Sequence, residues 1–434
     1  MVMTTSKYIP NIHDNEKKRI VVAGGGFAGL KLIRKLIGKD YQIVLLDKNN
    51  FHQFQPLLYQ LATAGLEPSA TSFPVRKVLR NHADLHFRIA ELKAINSEDN
   101  EVTTTAGNLR YDYLVLAMGA RMNFYGQDDI MKHALWMKSA SDAIWIRNTI
   151  LEHFEEALLK TEETETEKFM NISIVGAGPT GVELAGALAE MKHFIFPKDY
   201  PELDLSKMRI ALFEMAPGIL PGMSEHASAK ARKALEKLGV EVHTDTSVTS
   251  YDGETIHLSD DSRMRSKTLI WAAGVKGTPV EGIPEELVTK GNRIRVDRFN
   301  RVKGFDDIFA IGDICSMETG DFPGGHPQLA QPAIQQARRL AKNILRIDEG
   351  KVPEPFKYTD KGSLATIGRN KAVADLPWAK FSGFPAWVLW SFVHLFSIMG
   401  VRNKIVIFLN WVCNYMRYDQ SLRLLIRPRN PKEV

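Results

Sequence analysis

Twice in this chain an apolar strand runs into Gly-x-Gly-x-x-Gly and then into a helix, and no other feature restricts the fold as tightly. The first copy is Gly24, Gly26 and Gly29 after Arg19–Ala23; the second is Gly176, Gly178 and Gly181 after Asn171–Val175. The first glycine of such a turn permits the tight bend. The second lets a pyrophosphate approach the backbone, and the third lets helix and strand pack closely. The helix N-terminus then presents free N–H groups and partial positive charge to the phosphates. A single string of this kind arises easily by chance. Here each is followed by a buried strand ending in a carboxylate, Asp47 in the first unit and Glu214 in the second. An acid at that point accepts hydrogen bonds from a ribose. Glu214 is followed by Met215, Ala216 and Pro217, with no Arg to attract a 2′-phosphate, so the second unit is expected to prefer the non-phosphorylated dinucleotide. Leu269–Ala273 before Gly274 echoes Leu114–Met118 before Gly119, a weak internal duplication.

The 434 residues have room for two or three domains. Residues 1–18 read as a loose tail without the apolar core of a signal peptide. Residues 19–125 and 295–349 are expected to form the first nucleotide domain, with Asp307–Gly312 returning as a strand. Residues 126–294 form the second, with an acidic, solvated connection near 152–168. Residues 350–434 form a C-terminal region of different composition. A net charge of +5 without a Lys/Arg run argues against nucleic acid. Cys315 and Cys413 are the only cysteines, which excludes a disulfide scaffold and a cysteine metal cluster. His52, His82 and His86 show no ligand spacing, so no metal site is expected.

The order of these pieces resembles the two-dinucleotide flavoprotein reductases. That resemblance implies non-covalent FAD on the first turn and a nicotinamide nucleotide on the second. It also implies a late segment, Phe309–Asp313, whose Asp313 contacts the flavin nucleotide. Most disulfide reductases of that group, and the sulfide:quinone reductases, keep cysteines at the flavin. This chain has no such pair, so electrons must leave the flavin directly for a small acceptor. Four stretches are similar to type II NADH dehydrogenases, the single-chain, non-pumping NADH:quinone oxidoreductases: Asn50–Gly65, Gly176–Gly186, Ala330–Ala337 (AQPAIQQA) and Phe384–Ile426. Two small departures, Gly178-Pro179-Thr180 in the second turn and Pro332 after Gln331, leave the pattern intact.

What the resemblance implies can be put on residues. Gly24, Gly26, Phe27, Ala28, Gly29, Asp47, Lys48 and Asp313 would hold FAD, with Pro56 in a stretch, Phe51–Tyr59, that lines the flavin. Gly176, Gly178, Pro179, Thr180, Gly181, Glu214 and Gly274 would hold NADH, the substrate. A helix starting near Gln331 would aim the N–H groups of Ala333 and Ile334 at the flavin's negative edge, with Pro332 at its first position. Gln331 and Gln335 share a helix face and would meet the quinone; the plainer alternative is a solvated polar face, and for Gln335 the two stand level. Glu183 would serve catalysis as a nucleotide contact or a proton relay to quinone. Its plainer alternative is a helix-start acid favouring the dipole.

Phe384–Met399 is apolar but shorter than the roughly 20 residues a membrane span needs. In Ile405–Met416 the apolar residues fall at helical spacing, and Leu422, Leu424, Leu425 and Ile426 lie among Arg423 and Arg427. Such a pattern suits helices lying in a membrane interface, or else packing on the body or on a second copy. The resemblance sets Trp390 and Val393 beside the quinone pocket, with apolar packing as their alternative.

The expected architecture is therefore α/β, with two Rossmann-type dinucleotide-binding domains plus a C-terminal amphipathic-helix region anchoring the chain to a membrane. The resemblance implies partners in ubiquinone or menaquinone and in surface lipids, a homodimer as one allowed assembly, and a site on the cytoplasmic face of the cell inner membrane. A soluble reductase serving oxygen or a protein carrier, and a nucleotide-sensing flavoprotein, stay open beside it.

Overall fold

The computed structural model describes residues 8–417 and 423–425. They divide into two compact units. One holds the described residues up to His52, with Phe73–Arg121 and Val275–Asp360; the other holds Gln53–Ser72, Met122–Gly274 and the described residues from Lys361 onward.

The first unit is built on a parallel sheet in the order Ile308–Ala310, Tyr113–Leu116, Lys18–Ala23, Tyr41–Asp47, Leu85–Ile89. Runs such as Ile20-Val21-Val22 are apolar throughout because both faces of this sheet are covered, one of them by Leu92, Ile95, Val102 and Leu109 of a small antiparallel sheet against Val21 and Leu114. The helix Phe27–Leu36 makes the first crossover and buries Leu30, Ile33 and Leu36, which repeat at three-residue steps. At the far end of this sheet, Asp348 accepts hydrogen bonds from Lys18 Nζ (2.6 Å), Tyr41 OH (2.5 Å) and Tyr113 OH (2.7 Å).

The second unit repeats the plan. Its sheet runs Leu135–Trp136, Thr268–Trp271, Ile172–Val175, Ile210–Phe213, Val240–His243. In each sheet the strand that leads into the glycine turn is central. Ile20 pairs with Ile43 on one side and Tyr113 on the other; Ile172 pairs with Ile210 and Thr268 in the same way. The expected duplication is thus present strand for strand. Only the outermost position differs, filled by a late strand in the first unit and an early one in the second.

Three local expectations change. The presumed loose tail is pinned from Tyr8: Ile9 is buried in the core and its N–H donates to Asn108 O at 3.0 Å. The acidic stretch opens, as read from sequence, on the end of a surface helix, Ala140–Leu158, but the connection after it is helical too, Glu163–Met170. Lys168 is buried there, held by Glu165 (2.6 Å) and Glu254 (3.1 Å), so the Glu-rich composition serves ion pairing as well as solvation. Residues 361–417 do not stand apart but belong to the second unit. They begin with an antiparallel sheet, Ser363–Gly368, Lys371–Leu376 and Ala379–Ser382, and continue as helices Phe384–Ser397 and Val401–Arg417.

The last helix is inside out by the standard of a soluble protein. Its inward face carries Asn403, Ile407, Trp411 and Asn414. Asn403 Nδ2 donates to Ser69 O (2.7 Å), Trp411 Nε1 to Gln60 Oε1 (2.8 Å) and Asn414 Nδ2 to Gly65 O (3.3 Å). Ile405, Phe408, Leu409, Val412 and Met416 are exposed, as are Phe384, Val388, Phe392 and Phe396 on the preceding helix. No described helix is long and apolar enough to cross a membrane. Leu422, Ile426 and Arg427 lie outside the described residues, while Arg423 pairs with Asp199 at 3.1 Å.

Candidate functional site

The two glycine turns have the same construction. Helices begin at Phe27 and at Pro179, a few residues earlier than the periodicity alone suggests, so the third glycine of each motif lies inside its helix. A methyl group on Gly29 would stand 1.9 Å from Gly24 O, and one on Gly181 the same distance from Gly176 O. Those glycines are demanded by packing. Around Gly26 and Gly178, by contrast, a methyl group would meet nothing within 4 Å. The backbone there faces open space at a helix N-terminus, the arrangement a pyrophosphate needs.

Each strand-end acid braces its own turn. Asp47 accepts from Gly25 N–H (2.6 Å) and Asn49 N–H (2.7 Å); Glu214 accepts from Ala177 N–H (2.7 Å) and Ala216 N–H (3.0 Å). His52, read from sequence as an ordinary residue, is buried with Nδ1 3.0 Å from Gly25 O and packs edge-on against Phe27. Lys48 is exposed. Gly274 has φ +69°, and a methyl group on it would strike the Tyr125 hydroxyl at 2.0 Å.

The return segment meets the first turn. Gly312 lies between Ala28 and Ala333, so three expected FAD contacts, Ala28, Asp313 and Ala333, gather around one short turn. Gln336, which sequence reasoning missed, fixes it: its Oε1 accepts from Gly312 N–H at 2.8 Å. The helix Ala330–Asp348 starts one residue earlier than expected, so Pro332 takes its third position and not its first. Ala333 N–H therefore reaches Leu329 O, at a long 3.4 Å. Ile334 and Gln331 are half-buried near its start. Gln335 is occupied on both sides of its amide, with Nε2 donating to Thr359 O (2.9 Å) and Oε1 accepting from Thr359 N–H (3.1 Å). Open backbone at Gly26 and the narrow cradle at Gly312 together fit a flavin dinucleotide on this unit. Pro56 sits in a short turn, Gln55–Leu57, of the second unit.

The second unit also contains a cavity of about 150 Å³. Glu183, Glu190, Tyr59, Trp387, Trp390 and Trp411 are among its lining residues. Beside it the strand Ser363–Gly368 crosses the helix Pro179–Phe194 at Gly186, where a methyl group would lie 2.0 Å from Ile367 O. That approach brings Thr366 N–H to Glu183 Oε1 at 3.5 Å, while Trp390 Nε1 donates to the same oxygen at 3.3 Å. Glu183 lies beyond the first helical turn and is buried, so it is not a helix-start acid. Burial pushes its pKa up to about 8, against the two weaker hydrogen bonds that favour the anion. Trp390 is buried, stacked on His394 at 4.1 Å and edge-on to Tyr59 at 6.4 Å. Val393, expected beside it, is 38% exposed. Tyr59, Glu190, Thr366 and Trp411 were not assigned to such a pocket from sequence. Glu190 alone carried a signal, two helical turns after Glu183 on the same face.

Residues 18–337 match the pyridine nucleotide-disulphide oxidoreductase family, and residues 361–417 match the NDH2 C-terminal domain. The chain is similar to the type II NADH:quinone oxidoreductase Ndh of Mycobacterium tuberculosis, 34% identical across 94% of this chain and 90% of that protein. The type II NADH:quinone oxidoreductase NdhA of the same organism is also 34% identical, across 92% and 87%. Its fold is like that of NDH2 from Plasmodium falciparum solved in complex with NADH, with a TM-score of 0.87 at 22% identity over 95% of this chain and 100% of that one.

Proposed function

The chain belongs to the pyridine nucleotide-disulphide oxidoreductases and, among them, to the type II NADH:quinone oxidoreductases, and on that premise we propose a two-stage reaction for it. The enzyme is FAD-dependent and oxidises NADH at the expense of quinone. FAD, when bound, supplies the hydride acceptance and electron transfer that no side chain supplies. The first glycine turn, Asp47 and the Gly312–Asp313 turn would hold it. The second turn, with Pro179, Thr180, Glu214 and Gly274, would hold NADH, and the Glu214 carboxylate would repel a 2′-phosphate.

The cavity carries the rest of the reading. A quinone headgroup is flat, weakly polar and reduced with uptake of protons. Aromatic walls from Trp387, Trp390, Trp411 and Tyr59 suit the first two properties. Glu183 suits the third. With a pKa of about 8 it is protonated at neutral pH. Both donors address Oε1, which leaves Oε2 to carry the proton and offer it to a quinone oxygen. For Gln331, a residue of the first unit that is not among those lining this cavity, the role toward quinone rests on the family resemblance alone. Gln335, bound to Thr359, is better read as a positioning residue.

Rapid mixing without oxygen tests this. NADH should bleach the flavin at least about tenfold faster than NADPH, and a short-chain ubiquinone or menaquinone should restore its colour within a turnover. Flavin that stays reduced in the presence of quinone would refute the reading.

The exposed apolar faces of Phe384–Ser397 and Val401–Arg417 support membrane-interface binding, with quinone entering from the lipid. We place the enzyme on the cytoplasmic face of the cell inner membrane, bound to its surface lipids without spanning it and without pumping protons. Introducing Glu at both Phe392 and Phe396, which are 57% and 61% exposed, should release the protein from anionic vesicles in a flotation assay while leaving its NADH-driven flavin reduction intact. Undiminished flotation would assign those faces to another role.

A further inference from the structure

Turnover has a proton deficit. NADH, a proton and quinone give NAD⁺ and quinol. The hydride brings two electrons and one hydrogen, so one proton per cycle must come from the medium. Glu183 can hand over a proton but is buried and must be reloaded.

The wall of the same cavity contains a second carboxylate. Glu190 lies seven residues beyond Glu183 on the helix Pro179–Phe194, two turns along one face and about 10 Å away by helical rise. Unlike Glu183 it is partly exposed. Its Oε1 accepts from Arg369 N–H at 2.5 Å. The charges facing it are the Arg369 guanidinium and Lys371, both from the sheet that crosses the helix. Tyr59 lines the same cavity and is buried, with its hydroxyl accepting from Gln60 Nε2 at 2.7 Å, an arrangement that leaves the O–H to donate elsewhere. Burial, and after it the nearby carboxylates Glu183 and Glu190, hold the Tyr59 hydroxyl in its protonated form. A cavity of about 150 Å³ is well above the ~15 Å³ that one water needs, so ordered water can bridge polar groups along its wall.

Building on the reading of this cavity as the quinone site, we infer that Glu190 is the proton port of the enzyme: it takes a proton from solvent beside Arg369 and passes it along the Tyr59 side of the cavity to Glu183. No bond to carbon forms or breaks in this relay. One proton enters at Glu190 and one leaves from Glu183 to the quinone oxygen, so both carboxyls end each cycle as they began. Burial also raises the pKa of Glu190, against the Arg369 N–H hydrogen bond and the Lys371 and Arg369 charges that lower it. The part of Glu190 is to relay the proton, which reaches quinone through Glu183.

The test uses the full-length, FAD-loaded enzyme and separates the half-reactions by anaerobic stopped flow. In Glu190→Gln the Arg369 hydrogen bond keeps an acceptor. Flavin reduction by NADH should be unchanged, reoxidation by a short-chain quinone should slow roughly tenfold or more, and its solvent isotope effect should grow. Glu190→Asp should restore most of the rate, with the pH profile displaced toward acid. If Glu190→Gln fails to load FAD, the displaced profile of Glu190→Asp becomes the deciding measurement, and an unmoved profile overturns the relay. Blocking the cavity with Ala187→Trp keeps the two ideas apart. If the block abolishes reoxidation but Glu190→Gln does not slow it, the relay is wrong and the quinone site stands. If the block has no effect, the quinone site is wrong.

Discussion

Glu183→Gln should slow flavin reoxidation by quinone on the order of 100-fold while NADH still reduces the flavin at close to its normal rate. Gln keeps the shape and can still accept from Trp390 and Thr366, so the loss isolates the proton. A second readout comes from stability. Glu183 has an ordinary pKa of 4.5 and one of about 8 in the fold. Between those values the folded chain holds a proton that the unfolded chain has lost, so this residue makes stability fall as pH rises through that window and adds no further slope above it. The linkage amounts to at most ~5 kcal/mol, the ceiling for a fully buried group. The variant has no such proton. Urea midpoints of variant and parent should therefore diverge in the variant's favour from pH 5 to pH 9. Parallel midpoints across that range would mean that Glu183 is ionised in the fold.

Gly186→Ala should be strongly destabilising, although it adds only one methyl group to the second unit. Elsewhere in a helix the change would stabilise by up to about 1 kcal/mol. Here the new carbon meets backbone, 2.0 Å from Ile367 O and 2.6 Å from Ile367 C, and no rotamer can relieve it. Strand and helix must separate. We expect a cost of roughly 3 kcal/mol or more, read as a lower melting temperature. The separation also withdraws Thr366 N–H from Glu183, so quinone turnover should fall further than NADH-driven flavin reduction. Gly320→Ala is the control, since a methyl group there meets nothing within 4 Å and should change neither quantity. A Gly186→Ala protein as stable as the parent would show that the crossing of strand and helix is not tight.

What could be read from residues alone follows from how local the physics is. The glycine turns, Asp47 and Glu214 were legible because strand, turn, helix and acid lie within one βαβ unit, where spacing along the chain is spacing in space. Phe309–Asp313 was legible through its resemblance to known flavoproteins. Glu183 was singled out, but its choice between two roles was not, because that depends on Trp390 and Thr366, more than 180 residues away. The short antiparallel sheet from Ser363 to Ser382 lacks the long apolar runs of a parallel one, and it went unread. Thr366 and the crossing at Gly186 went with it. Gln335 was singled out for sharing a face with Gln331, while its neighbour Gln336 was passed over. Only the fold shows that one holds Thr359 and the other holds Gly312. For the last helix, periodicity left open whether the apolar side meets a membrane or packs on the body; in the fold that side is exposed.

The cavity's lining starts at Tyr59 and ends at Tyr415. A ribosome delivers the chain from one end, so both glycine turns emerge long before the helices that supply Trp387, Trp390 and Trp411. During synthesis the nucleotide-binding framework can form first, and the chamber is the last thing to exist. A messenger truncated before the codon for Phe384 would thus encode a chain with both glycine turns but without the tryptophans that close the cavity.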